Sequence, residues 1–233
     1  MVSLDRYEPP VADAGWRVYR IIPTIFPPVS IFDDIADLED LDALYEVEDL
    51  TNDRVREQIG QLQRVAPQDR VTGPSTTPIM AAFTHLNPGG SRFTDGTYGV
   101  YYAATELETA IAETKYHREV FLAATHEDPI EIDQRVYVAT VICDLHNLRD
   151  CQGTYPEILH PTDYSAGQKL AGRLRSEGSN GVIYDSVRAP GGTCVGVFRP
   201  RCLADCNQER HLTYRWDGRR ISEIYEKSGY RAV

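Results

Sequence analysis

An arginine, a tyrosine and a glutamate fall close together within residues 89–117, GGSRFTDGTYGVYYAATELETAIAETKYH. Arg92 follows Gly89-Gly90-Ser91, Tyr102 lies near the end of a tyrosine-rich run, and Glu113 sits in a helical pattern four residues before His117. Glycines let a backbone approach a ligand, and a guanidinium forks onto phosphate oxygens. A carboxyl group and an aromatic face beside that arginine suit a doubly charged, phosphate-bearing substrate. Each residue also has a plain structural use. Arg92 fits a surface loop, Tyr102 a core or rim position, and Glu113 a boundary position salt-bridged to Lys or Arg.

Further candidates lie outside that stretch. Arg20 interrupts the apolar run WRVYRII at 16–22, where a charge must be paired, face a pocket or point out from an edge. Ser186 and Arg188 follow the apolar run at 182–184, and Ser186 suits either a turn cap or a bond to a substrate hydroxyl or phosphate. Residues 192–196 spell G-T-C-V-G, similar to a nucleophile elbow with Cys194 at its centre. An elbow needs strand, sharp turn and helix, whereas Val197 and Phe198 continue a strand. Cys202, Cys206 and His211 are loosely spaced for a metal, without a second pair to complete a tetrahedral site. P-loop and GxGxxG fingerprints are absent from the sequence.

The elements that position these residues read as a mixture of strands and helices. A first strand is expected at 16–22, and Tyr98, Val100 and Tyr102 alternate on one face of a strand at 98–103. Thr105 and Glu108 have capping-box spacing and open a helix to about Leu122. A β-rich run spans 134–142, and 163–177 reads as a helix stopped by Gly178. Short buried strands are expected at 182–184 and 194–198, then a hairpin turning at Asp217-Gly218. Residues 67–88, with Gly73-Pro74 and Pro78, read as loop. Regular βαβ alternation is missing, so the class is α+β.

The chain's 233 residues suit one domain, 1–233. Within it, 31–80 reads as a helical acidic insertion and loop. Residues 31–50 hold nine Asp or Glu and no Lys or Arg, with Ile31, Ile35, Leu38 and Tyr45 near helical spacing. A second helix is expected at 51–64, N-capped by Thr51. The acidic face is either a solvated surface or a docking site for a basic partner. A net charge of -11 argues against a direct nucleic-acid binder. No apolar run is long enough to cross a membrane, and the first residues lack a signal-peptide pattern. Five scattered cysteines predict a reduced, cytoplasmic protein without a disulfide scaffold.

Taken in order, these residues resemble the RES-domain family, the toxin half of bacterial RES–Xre type II toxin–antitoxin systems. The family pattern runs from a Gly-Gly loop arginine through a strand tyrosine to a helix glutamate and histidine, with a later serine in a Tyr-x-Ser context. Here these are Arg92, Tyr102, Glu113, His117 and Ser186 with Tyr184; Arg20 matches the opening-strand arginine. The resemblance spans roughly 16–198. Two features depart from it: Ser91 is an extra residue in the Gly-Gly-Arg loop, and Thr193-Cys194 stand where an Asn is common.

The resemblance implies a fold similar to that of ADP-ribosyltransferases and an enzyme that destroys NAD, as glycohydrolase or phosphorylase, without a metal. It implies that Glu113 stabilises the ribose cation, that Arg20 and Arg92 clamp the diphosphate, that Tyr102 borders the nicotinamide, and that Ser186 bonds a phosphate or ribose group. It also implies an Xre-type antitoxin and a homodimer or larger complex. The alternatives are ADP-ribosyl transfer to a protein, a non-catalytic interaction protein acting through its acidic helix, and a thiol hydrolase at Cys194.

Overall fold

The computed structural model describes residues 4–24, 32–33 and 60–228. Among these residues nine strands join in one sheet: β1 (Val11–Ala12), β2 (Trp16–Pro23), β3 (Tyr101–Ala104), β4 (Ile130–Val141), β5 (Leu145–Asn147), β6 (Gly181–Asp185), β7 (Thr193–Val197), β8 (Leu203–Trp216) and β9 (Ile221–Glu226). Their order is β1-β5-β6-β7-β3-β2-β4-β8-β9, and only β5 and β6 run parallel. The described α-helices are α1 (Thr77–Thr84), α2 (Leu107–Thr125) and α3 (Ser165–Ser176). The class is α+β, as the sequence predicts. None of these helices is long and apolar enough to cross a membrane.

Successive side chains of a strand point to opposite faces, and this alternation builds two separate cores. Val18, Tyr101, Ile183, Val195 and Val197 pack on one face with Ile79, Met80 and Phe83 of α1. Tyr102, Val182, Tyr184 and Cys194 point to the other face, where Ala110 of α2 and Leu170 and Leu174 of α3 cover them. Leu122 of α2 extends this layer over β4, β8 and β9, against Val136, Tyr214 and Trp216. The sheet therefore has α1 on one side and α2 with α3 on the other.

Helix α1 lies in a segment read from sequence as loop. Pro78 was counted there as a breaker, but it occupies the first turn, where its missing N–H costs no intrahelical bond. Asp33 Oδ1 accepts the Thr77 N–H and hydroxyl, both at 2.7 Å, at the start of this helix. The acidic helix expected at 31–50 lies outside the described residues apart from Phe32 and Asp33, so its expected form is not described. Of the helix expected at 51–64 only the end is described, and Leu62–Arg64 is a single 3₁₀ turn.

The expected capping box is not formed at α2. Thr105 bonds Thr193 O of β7 through its N–H, 3.0 Å, and its hydroxyl, 3.3 Å, and the helix opens two residues later behind Glu106. A tertiary tie to the first residue of β7 has replaced the local cap. The hairpin at Asp217-Gly218 matches expectation: Asp217 Oδ1 accepts the N–H groups of Arg219 and Arg220. The cysteines depart from the reduced state expected. The β4–β8 register pairs Val141 with Leu203, which sets Cys143 beside Cys202, and the two form a disulfide. Cys151, Cys194 and Cys206 are free and buried.

Phe83 of α1 is buried, and its backbone lies against the glycine before β3: a Cβ on Gly99 would lie 2.3 Å from its Cα. Phe83→Ala is expected to cost about 3–5 kcal/mol, measured by urea unfolding. A loss below about 1 kcal/mol would contradict α1 as an integral cover of that face.

Candidate active site

The centre of the site is the contact between α2 and the end of β6. Along β6 and just beyond it, Val182, Tyr184 and Ser186 alternate toward α2. Ser186 Oγ accepts the N–H groups of Arg188, 3.1 Å, and Ala189, 2.9 Å. With both lone pairs engaged, the hydroxyl proton is directed to Glu113 Oε1 at 2.7 Å. Cys194 of β7, opposite Tyr184 in the sheet, donates weakly to the same oxygen at 3.9 Å. Both contacts fall on Oε1; among the described residues Oε2 has no hydrogen bond. The carboxyl group is thus anchored on one oxygen and presents the other.

Arg92 approaches from the Gly-Gly loop on the same side of the sheet. Its guanidinium donates to His160 O at 2.7 Å and stacks on Tyr164, 4.7 Å from the ring centre. Gly90 has φ +70°, and a Cβ there would meet Thr94 O at 2.6 Å, so the tight turn before Arg92 needs glycine. Gly167 of α3 serves the same arginine differently: a Cβ on it would meet Arg92 O at 2.6 Å.

Tyr102 fixes the loop from below. Its hydroxyl lies 2.7 Å from Ser91 Oγ and accepts the Phe93 N–H at 2.9 Å. Ser91 O in turn accepts Gln168 Nε2 of α3 at 2.9 Å. Ser91, the extra residue of the loop, is therefore the link that ties the arginine loop to both β3 and α3. Burial raises the Tyr102 phenol above its ordinary range, so the hydroxyl keeps its proton at neutral pH.

His117, one turn after Glu113, stands at the exposed mouth. Crowding of its ring by the surrounding protein lowers its pKa; Glu113 acts to raise it, while Arg188, Arg92 and Arg118 lower it further. Arg188 completes the mouth, with its guanidinium over the Tyr116 ring, 3.4 Å from the centre, and a bond to Pro161 O. The sequence placed Arg188 beyond a strand but gave it no role; its spacing two residues after Ser186 was the available signal.

Cys194 does not sit in a nucleophile elbow. It lies within β7, which continues to Val197, and its thiol is pushed up to about 12 by burial and then by Glu113. A thiol held protonated in a strand is a poor nucleophile.

Arg20 is not brought to Glu113. Strand alternation turns it to the α1 face with Val18, where its guanidinium packs 4.7 Å from the Tyr101 ring and donates to Tyr102 O at 3.2 Å. Its Nε is buried without a partner, and burial lowers its pKa. The sheet itself separates Arg20 from Arg92.

The fold and site define an α+β protein built around a helix glutamate anchored by a strand-end serine, with arginines at the mouth. The chain matches the RES domain model over residues 64–217 and belongs to the RES domain family. That span includes Arg92, Tyr102, Glu113, Ser186 and Arg188, and begins after Arg20. The uncharacterized protein y4oC of Sinorhizobium fredii (strain NBRC 101917 / NGR234) is 32% identical over 209 residues, 89% of this chain and 86% of that protein. Among solved structures, a chain of the M. tuberculosis MbcT–MbcA toxin–antitoxin complex is similar, with 12% identity, 89% of this chain and 87% of that chain covered, and a TM-score of 0.47.

With Arg20 on the far face, Arg20→Met is expected to lower stability by about 1–2 kcal/mol through loss of its hydrogen bond and ring contact. Affinity for any ligand of the Glu113 site should be unchanged. Titration calorimetry with ADP-ribose checks this; a tenfold weaker Kd would return Arg20 to the site.

Proposed function

We propose that this RES-domain protein is the toxin of a toxin–antitoxin pair and acts by cleaving the nicotinamide–ribose bond of NAD. The observation that carries the reading is the state of Glu113. One carboxyl oxygen is held by Ser186 and Cys194, and the other has no hydrogen bond among the described residues. Membership of the RES family supplies the substrate class and the expectation of an Xre-type antitoxin, in a complex with a dimeric toxin core.

Nicotinamide is a cationic leaving group in NAD, and it departs neutral, carrying the electron pair of the C1′–N bond. The ribose left behind has oxocarbenium character, which a nearby carboxylate stabilises as in glycoside hydrolysis. Glu113 Oε2 would accept the 2′-hydroxyl of that ribose and face the developing charge. Arg92 would hold a diphosphate oxygen. The Tyr102 ring would border the nicotinamide while its hydroxyl keeps the Ser91–Phe93 loop in place. Ser186, expected from the family to touch a phosphate or ribose group, has its hydroxyl filled by protein partners, so its role in this reading is to position Glu113. Water or phosphate then adds to C1′, giving ADP-ribose or its 1-phosphate.

Glu113→Gln keeps the size of the side chain and removes its charge. It is expected to lower the rate of NAD loss by roughly 10²–10³-fold with unfolding unchanged. Chromatography of products, with and without phosphate, distinguishes hydrolysis from phosphorolysis, and mass spectrometry of added protein detects ADP-ribosyl transfer. Full activity in a folded Glu113→Gln sample would overturn the assignment.

A further inference from the structure

Two arginines of this site, Arg92 buried and Arg188 half-buried, bond the same short piece of backbone. Arg92 reaches His160 O from the Gly-Gly loop, and Arg188 reaches Pro161 O from the loop after β6. Each guanidinium lies on a tyrosine face, Arg92 on Tyr164 and Arg188 on Tyr116. The two carbonyls belong to adjacent residues, which brings the two guanidiniums to one stretch of backbone. Neither guanidinium has a carboxylate within ion-pair distance among the described residues. Arg188 Nε is buried without a hydrogen-bond partner.

Arg20 and Arg135 also bond carbonyls, Tyr102 O and Thr24 O, but these do not belong to adjacent residues. The neighbouring Arg199 and Arg201 instead share a carboxylate, Asp69, at 2.9 and 2.8 Å. Arg92 and Arg188 are met by neutral carbonyls alone. A carbonyl satisfies a guanidinium donor but leaves its charge uncompensated, whereas a phosphate oxygen supplies both. Tyrosine faces hold the two planes in place from behind.

We infer that Arg188 is a second ligand-binding cation, which together with Arg92 grips a diphosphate, and that the His160–Pro161 carbonyls occupy these donors until that anion arrives. The assignment deepens the NAD reading, on which it rests for the identity of the substrate, and it replaces Arg20 as the partner of Arg92. The side chain of Arg188 is separable from catalysis, because Ser186 is held by the Arg188 backbone N–H. Binding a diphosphate releases residues 160–161 from both arginines, so loop movement accompanies binding.

The test uses the full chain and inorganic diphosphate as probe, followed by calorimetry, beside steady-state kinetics on NAD. Arg188→Gln should weaken diphosphate binding at least tenfold and raise the KM for NAD by a similar factor, with kcat falling less than KM rises. Arg188→Lys should recover part of the diphosphate affinity, since a point charge remains. Were Arg188 only a staple between α2 and the loop, both variants would lower the melting temperature, leave diphosphate affinity unchanged and show no rescue by lysine; that outcome overturns the inference. Absence of NAD turnover by the unaltered protein would instead overturn the NAD reading, and the diphosphate measurements would still decide the role of Arg188. No diphosphate binding by the unaltered protein would also overturn the inference.

Discussion

The hydrogen bond from Ser186 to Glu113 Oε1 is the constraint around which the site is arranged. It joins the middle of α2 to the end of β6, beside the place where Thr109 of α2 packs on Gly192. Its direction is determined by the backbone, because the Arg188 and Ala189 N–H groups fill the serine lone pairs and leave only its proton to give. One bond therefore sets the rotamer of a glutamate, the start of the 186–192 loop, and through that loop the position of Arg188. The ties of Thr105 to Thr193 O hold the helix start against the neighbouring strand and keep the bond from having to do this alone.

The parity of the strands divides the arginines into those that share this site and those that do not. Tyr101 and Tyr102 are adjacent in sequence, yet one packs with α1 and the other lies under the arginine loop. Arg20 follows Tyr101, and Arg92 follows Tyr102. A sheet between two guanidiniums prevents them from gripping one small ligand. The second arginine of the site comes from the loop that Ser186 itself opens, which places the cation and the anchored carboxyl group on a common piece of backbone.

Much of this was legible in the residues. Alternating apolar positions gave the strands, Asp217-Gly218 the hairpin, and helical spacing set Glu113 near the buried edge of α2. The family pattern put Arg92, Tyr102, Glu113 and Ser186 in order, and the structure brings all four to one side of the sheet. The face taken by Arg20 was not legible, because alternation tells which residues share a face, but not which face meets which helix until the strand order is known. Helix α1 was missed because a proline has opposite meanings in a first turn and in a helix interior. The Thr105 cap and the Cys143–Cys202 disulfide turned on long-range pairings, between α2 and β7 and between β4 and β8. Ser91 looked like a departure from the pattern, and only the Tyr102 hydroxyl beneath it shows why a serine suits the position.

The central claim is that Ser186 acts through Glu113 and not on the substrate. A double-mutant cycle on the rate of NAD loss, combining Ser186→Ala with Glu113→Gln, tests it most directly. Strong non-additivity is expected: once Glu113 is replaced, removing the Ser186 hydroxyl should change the residual rate by less than about threefold. Two losses that simply multiply would show that the serine makes its own contact with the substrate, and would contradict the account.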